Sequence, residues 1–284
     1  MKTKQIFLIS ALVIAVLFSL NSCRKVAQIT DTSDDNAVAE SNSSDVMKVV
    51  ESGAKESEME GSNKQPLFAA LYGSCATITV TPALPDSSFP KTMLIDFGTS
   101  GCLGDDGKTR KGTITVVMTD FYRNTGCEFS VQTNNYYVND YQVDLSKTVK
   151  NEGFNSDSNL YFTIHADAVI TTPDNETITW SSDRVRTWIE GASTSYATDG
   201  LNGVLDDVYL VNGTASGINR KGKAFTAKTT KDLRIELSCH YIVEGVIEIT
   251  PDQMQSATID FGNGSCDDQA TVTIGSKVKT ITLH

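Results

Sequence analysis

An internal duplication constrains this chain more than any other feature. Cys75, the tetrapeptide Ile95-Asp96-Phe97-Gly98 and Cys102 recur as Cys239, Ile259-Asp260-Phe261-Gly262 and Cys266, all at an offset of 164, and Ser74 with Ser238 keeps that offset. Convergent reuse of a convenient strand-turn sequence would not by itself reproduce the cysteine spacing. Between these anchors, Ile78-Thr79-Val80-Thr81-Pro82 aligns with Ile247-Glu248-Ile249-Thr250-Pro251 only at a different offset. The pattern predicts two related sheet units that begin and end one domain, related by a pseudo-twofold axis.

From about Pro66 onward Thr, Val, Ile, Tyr and Phe dominate, and alternating runs are separated by Gly, Asn and Asp clusters, the signature of short strands. Met93 to Phe97, Gly112 to Thr119, Tyr136 to Val143, Leu160 to Ile170, Thr177 to Ile189 and Tyr241 to Ile249 are examples. Short connections such as Asn219-Arg220-Lys221-Gly222 and Gly275-Ser276-Lys277 suit antiparallel hairpins, and the long helical crossovers that parallel strands need are not visible. The expectation is an all-β domain over residues 65–284. Its antiparallel sheets would form a sandwich or a strongly curved meander, with a short helix before the domain.

The N-terminus has the parts of a secretory signal: Lys2 and Lys4, an apolar stretch from Ile6 to Leu20, and then Leu20-Asn21-Ser22-Cys23. The stretch is short for a roughly 30 Å hydrocarbon core at about 1.5 Å per residue. The run ending in Cys23 resembles the lipobox of bacterial lipoproteins. Residues 1–22 are therefore expected to be a signal peptide and Cys23 the lipidated first residue, a bilayer anchor with outer-membrane attachment favoured. Residues 23–64 are rich in Ser, Asp, Glu, Asn and Lys, a composition suited to a flexible tether. Within it Val46, Met47, Val49 and Val50 have spacings that a short docking helix could place on one face.

With Cys23 assigned to lipid, five cysteines remain, and an exported chain can keep disulfides. The duplication predicts equivalent bonds, Cys75 to Cys102 and Cys239 to Cys266. Cross-unit bonds stay open, because sequence does not fix connectivity. Cys127 is then the odd thiol: buried, reactive or intermolecular, with burial the common case.

The formal charge of −11 argues against nucleic-acid binding, which calls for a basic footprint. Histidines stand only at His165, His240 and His284, without zinc spacing, and neither a Gly-x-Ser-x-Gly elbow nor a phosphate-binding glycine loop is present. No catalytic residue and no cofactor are assigned. Two clusters remain as ligand candidates. Asp105-Asp106 follows Cys102 and Asp267-Asp268 follows Cys266, carboxylates of the kind that bind calcium, though a solvated acidic turn is the favoured reading. Alternation from Thr177 to Ile189 places Trp180, Ser182, Arg184, Arg186 and Trp188 on one face. That face suits sugar rings or an anion, but a cation–π ladder covering the outside of a sheet is favoured.

The co-linear set Ile95-Asp96-Phe97-Gly98 with Cys102, Gly107-Lys108-Thr109-Arg110-Lys111-Gly112, Tyr137-Val138-Asn139, Thr179-Trp180-Ser181-Ser182 with Arg184, Arg186, Thr187 and Trp188, Gly213-Thr214-Ala215-Ser216-Gly217, Leu237-Ser238-Cys239 and Thr258-Ile259-Asp260-Phe261-Gly262-Asn263-Gly264 resembles uncharacterised lipoproteins of Bacteroidota. The resemblance implies an envelope lipoprotein with a β-rich domain and supplies no activity. The leading functional expectation is a non-enzymatic accessory or binding module contacting a glycan or an envelope protein. The alternatives are a polysaccharide hydrolase using carboxylates such as Asp96 or Asp260, which more readily fix turns, and a structural component assembling through sheet edges.

Overall fold

The computed structural model describes residues 2–57, 67–83 and 85–283, leaving aside the side chains of 2–24, 57, 67 and 70. A long helix α1 (Lys2–Ser57) and a short α2 (Leu67–Tyr72) precede the strands. The first seven strands are β1 (Thr77–Thr81), β2 (Lys91–Asp96), β3 (Cys102–Leu103), β4 (Thr109–Met118), β5 (Glu128–Val138), β6 (Tyr141–Phe154) and β7 (Leu160–Thr171). After β8 (Thr177–Glu190) come two single-turn helices, α3 (Tyr196–Asp199) and α4 (Asn202–Leu205). The chain ends in β9 (Val208–Ile218), β10 (Ala224–Glu236), β11 (Ile242–Pro251), β12 (Ala257–Asn263), β13 (Gln269–Ile274) and β14 (Lys277–Thr282).

Among the described residues these fourteen strands form one antiparallel sheet, a meander in chain order with β3 paired to β4 off the main path. The expected all-β antiparallel class and curved meander are what the chain adopts. β1 and β14 end the path, so the sheet curls without closing. One expected strand is two: Tyr136 to Val143 reverses at Asn139-Asp140, whose φ angles of 47° and 68° make the tight hairpin between β5 and β6.

The duplication maps onto the two ends of this strand order. Asp96 Oδ1 accepts from the Gly98 N–H at 2.7 Å, and Asp260 Oδ1 from the Gly262 N–H at 2.9 Å, so each copy of the tetrapeptide ends in the same carboxylate-fixed turn. The expected disulfides, Cys75–Cys102 and Cys239–Cys266, both form with Cα atoms 5.7 Å apart, and Cys127 is buried and belongs to neither bond. The loosened alignment has a structural cause. Ile78 pairs with Ile95 in the first unit and Ile247 pairs with Ile259 in the second, so the two strands hold equivalent places although the second copy reaches its strand later after the cysteine.

Residues 25–57 do not behave as a tether. They continue α1, and from Ile29 to Lys55 nearly every side chain is buried, apolar Val38, Val46, Val49 and Val50 together with Thr32, Ser33, Asp35, Asn36, Glu51 and Ser52. The helix touches β2, β7, β8, β11, β12 and β13, strands from both ends and the middle of the sheet, so the sheet wraps around it. At about 1.5 Å per residue the buried run from Ile29 to Lys55 is roughly 40 Å long, matching strands of 10 to 14 residues at about 3.3 Å each. Val46, Met47, Val49 and Val50 do pack on the domain as expected, but the helix has no single apolar face because it is surrounded. Composition misread the segment because buried charge is tolerated wherever a partner is supplied, and the inner face of the sheet supplies one for almost every acid. Cys23 and the 1–22 signal segment lie outside the described side chains, as do residues 58–64.

Candidate functional site

The strands turn one face to α1 and the other to solvent, and the inward face is unusually cationic. Lys91, Arg110, Lys147, Arg184 and Arg186 all lie at buried positions of the alternation. The helix answers with carboxylates. Asp45 accepts from Arg110 Nε at 3.1 Å and Nη2 at 2.6 Å and from Lys108 Nζ at 3.1 Å. Burial raises the Asp45 pKa, yet Arg110 and Lys108 outweigh it and hold the carboxyl far below the usual carboxylate range. Glu51 accepts from Arg186 at 2.6 Å, from Lys55 at 3.0 Å and from the Tyr209 hydroxyl. Glu40 binds Arg184, Asp207 takes Lys55, and Asp35 takes Arg220 in the β9–β10 turn. Apart from Glu51–Lys55, which lies within α1, each of these ties the helix to the surrounding strands or their loops, and a low-dielectric interior strengthens it.

The Trp/Arg face of β8 is therefore grouped as the alternation predicts and turned the other way. Trp180 is 3 % exposed and Trp188 0 %, with Arg184 and Arg186 between them, all against the helix. Neither an open sugar-stacking platform nor a ladder on the outside of the sheet is available here; both readings are corrected. The reason is partner choice: Trp180 Nε1 donates to Asn36 at 3.3 Å, Trp188 Nε1 to Asp207 at 3.0 Å, and Arg186 lies 3.4 Å from the centre of the Tyr209 ring. Most of the inward polar groups on this strand thus find a complement on the helix or a neighbouring strand, while among the described residues Ser182 Oγ and Arg184 Nε do not.

Two spaces interrupt this packing. A cleft of about 230 Å³ opens near the C-terminal end of α1, where Asp45, Lys48 and Ser52 face Tyr72, Asp105, Asp106 and His240. Burial lowers the His240 pKa. The second is a smaller cavity of about 50 Å³ deeper in the sheet, lined by Glu40, Ser43, Lys48, Lys147, Ser182 and Arg184 among others. Lys48 lines both.

Of the paired acids, Asp106 and Asp267 make local contacts. Asp106 is committed to Arg110 Nη1 at 3.0 Å and to the Lys108 N–H at 3.1 Å, and Asp267 Oδ1 accepts the Gln269 N–H at 2.9 Å. Among the described residues no group of three or more His, Cys, Asp or Glu side chains could hold a metal ion. Asp96 and Asp260, the carboxylates considered for hydrolysis, serve the two turns.

Sequence reasoning missed the helix acids Glu40, Asp45 and Glu51, the part of Arg110 as the partner of Asp45, and the buried Lys147, which donates to the Ser43 carbonyl. It also missed His165, which bridges Asp183 at 2.8 Å and Asp167 at 3.2 Å on the exposed outer face, with the Asp183 hydrogen bond first in raising its pKa. A basic residue at an inward position of a strand was the one available signal, and it becomes meaningful only once an acidic segment is known to lie opposite. No protein family, curated protein or solved structure matches this chain.

Proposed function

We propose that the protein is an envelope-anchored lipoprotein whose domain is a non-catalytic binding module, with the cleft around Lys48, Asp106 and His240 as its recognition end. The observation that carries this reading is the continuity of α1. The helix that leads away from Cys23 is the one that fills the sheet, and its first side chains, from Lys25 to Gln28, are still exposed or half-buried at one mouth. The cleft lies at the other, beside Ser52. From Ile29 to Ser52 is about 35 Å of helix, so lipid at Cys23 would seat the first mouth on the bilayer and aim the cleft away from it. The spacer is then the folded domain itself.

Assembly through sheet edges is less favoured, because β14 carries exposed Lys277 and Lys279 on a free edge, residues that discourage strand addition. The test is fractionation of cells making the full chain or Cys23→Ser, with metabolic labelling by an alkyne fatty acid. The wild type should label and partition into detergent, and the variant should be unlabelled and released without detergent. Equal partitioning of the two would overturn the anchor. Turnover of envelope polysaccharide by purified protein would replace the binding reading with the hydrolase.

A further inference from the structure

The smaller cavity between α1, β6 and β8 holds charge that the protein leaves unanswered. Of the cations lining it, Arg186 is answered by Glu51 and Arg184 by Glu40. Lys147, 4 % exposed, donates only to the Ser43 carbonyl at 2.6 Å, and among the described residues no carboxylate pairs with it. Lys48 likewise donates to the Cys239 carbonyl at 2.6 Å. Two further donors in the wall have no partner among the described residues: the Ser182 hydroxyl, on a residue 2 % exposed, and Nε of Arg184, on a residue 6 % exposed. The rest of the wall includes Ile164, Val211, Leu233 and Ile235, which keep the local dielectric low. Buried polar groups are almost always satisfied, and an uncompensated buried cation is costly. Here one buried lysine without a carboxylate and two unpartnered donors line one space, with the half-buried Lys48 at its border with the cleft.

We infer that this cavity is a binding site for a small inorganic oxyanion of the phosphate or sulfate class. A space of about 50 Å³ holds roughly three to five water-sized groups, the scale of a four-oxygen anion. Lys147 and Lys48 supply the neutralising charge, and Ser182 Oγ–H and Arg184 Nε–H supply directed hydrogen bonds that water could also take but that an anion makes stronger. Lys48, common to the cavity and the cleft, stands on the route in. The site does not depend on the anchor at Cys23.

Burial, with Arg186 adding repulsion, pulls the Lys147 pKa down to about 7, and burial first, then Lys108, does the same to Lys48. An entering anion reverses this, so binding above neutrality takes up protons. The charged groups lining the cavity from the helix are Glu40 and Lys48 and from β8 Arg184 and Arg186; both arginines are already paired, leaving the lysines to titrate.

The test uses the folded protein freed of phosphate and sulfate, titrated calorimetrically with sodium phosphate and, separately, sodium sulfate, against sodium chloride at matched ionic strength. One-to-one saturable binding in the millimolar range or tighter is expected, weakened about tenfold or more by Lys147→Met and several-fold by Ser182→Ala. Whichever of the two anions binds more tightly identifies the preferred oxyanion. Comparing buffers of different ionisation enthalpy at about pH 8 should show proton uptake. Should Lys147→Met fail to fold, Ser182→Ala and the wild-type proton uptake decide. Heats no larger than those of chloride, or binding unchanged in the variants, would mean a water-filled cavity and overturn the site.

Discussion

Replacing Arg186 or Glu51 tests whether the polar segment really occupies the inside of the sheet. The two side chains are 3 % and 0 % exposed, lie 2.6 Å apart and come from residues 135 positions apart in sequence. At an effective dielectric of about 20, unit charges about 3.5–4 Å apart attract by roughly 4–5 kcal/mol, and removing one partner leaves the other buried and unpaired, at about 3–5 kcal/mol. Arg186→Met also removes the donor to the Tyr122 hydroxyl at 3.1 Å, and Glu51→Gln weakens the bonds from Tyr209 and Lys55. Each single variant should therefore lose about 3–5 kcal/mol in urea denaturation. The intrinsic fluorescence of Trp180 and Trp188, both packed on α1, reports the transition. The double variant should fall short of the sum by about 2 kcal/mol or more, because the second change removes a charge already orphaned. If each change costs under about 1 kcal/mol and the two are additive, as for a solvated surface pair, the helix is not inside the sheet and the reasoning fails.

Three further outcomes are expected. Because the folded-state pKa of Lys147 is lowered to about 7, below its unfolded value of about 10.4, the unfolded chain binds the extra proton between these limits, and stability in oxyanion-free buffer should rise from about pH 7 toward pH 10, by up to roughly 1.4 kcal/mol per unit; Lys147→Met should flatten much of that slope in denaturation midpoints, and an unchanged slope would count against the buried lysine. Gly112 has φ +85° and an added Cβ would lie 2.0 Å from the Asn135 carbonyl oxygen, while Gly107, at φ +73°, has open space; Gly112→Ala should cost clearly more than the roughly 1 kcal/mol expected of Gly107→Ala, and equal melting temperatures would contradict this close approach of β4 to β5. In Cys23→Ser protein without reductant, a thiol reagent should find almost no reactive sulfur in the folded state and one on unfolding, since Cys127 is buried and its Sγ donates to the Asp120 carbonyl; more than one thiol would break the disulfide assignment.

The sequence by itself determined the elements whose causes are local. Period-two alternation marks the strands because successive side chains leave a strand on opposite faces, and it grouped Trp180, Ser182, Arg184, Arg186 and Trp188 correctly. The repeated Ile-Asp-Phe-Gly, with an aspartate two residues before a glycine, specifies its own turn, and the paired cysteine spacing carries two equivalent bonds. Only the tertiary structure decided which face of β8 is the inside and that residues 25–57 are a buried helix rather than a tether. Composition treats a charged side chain as bound for water, whereas its burial depends on a partner that may lie anywhere in the chain: Asp45 meets Arg110 across 65 residues and Glu40 meets Arg184 across 144. Those distances are closed by the curl of the whole sheet, so no local pattern could announce them, and the same curl forms the cationic cavity beneath Lys147.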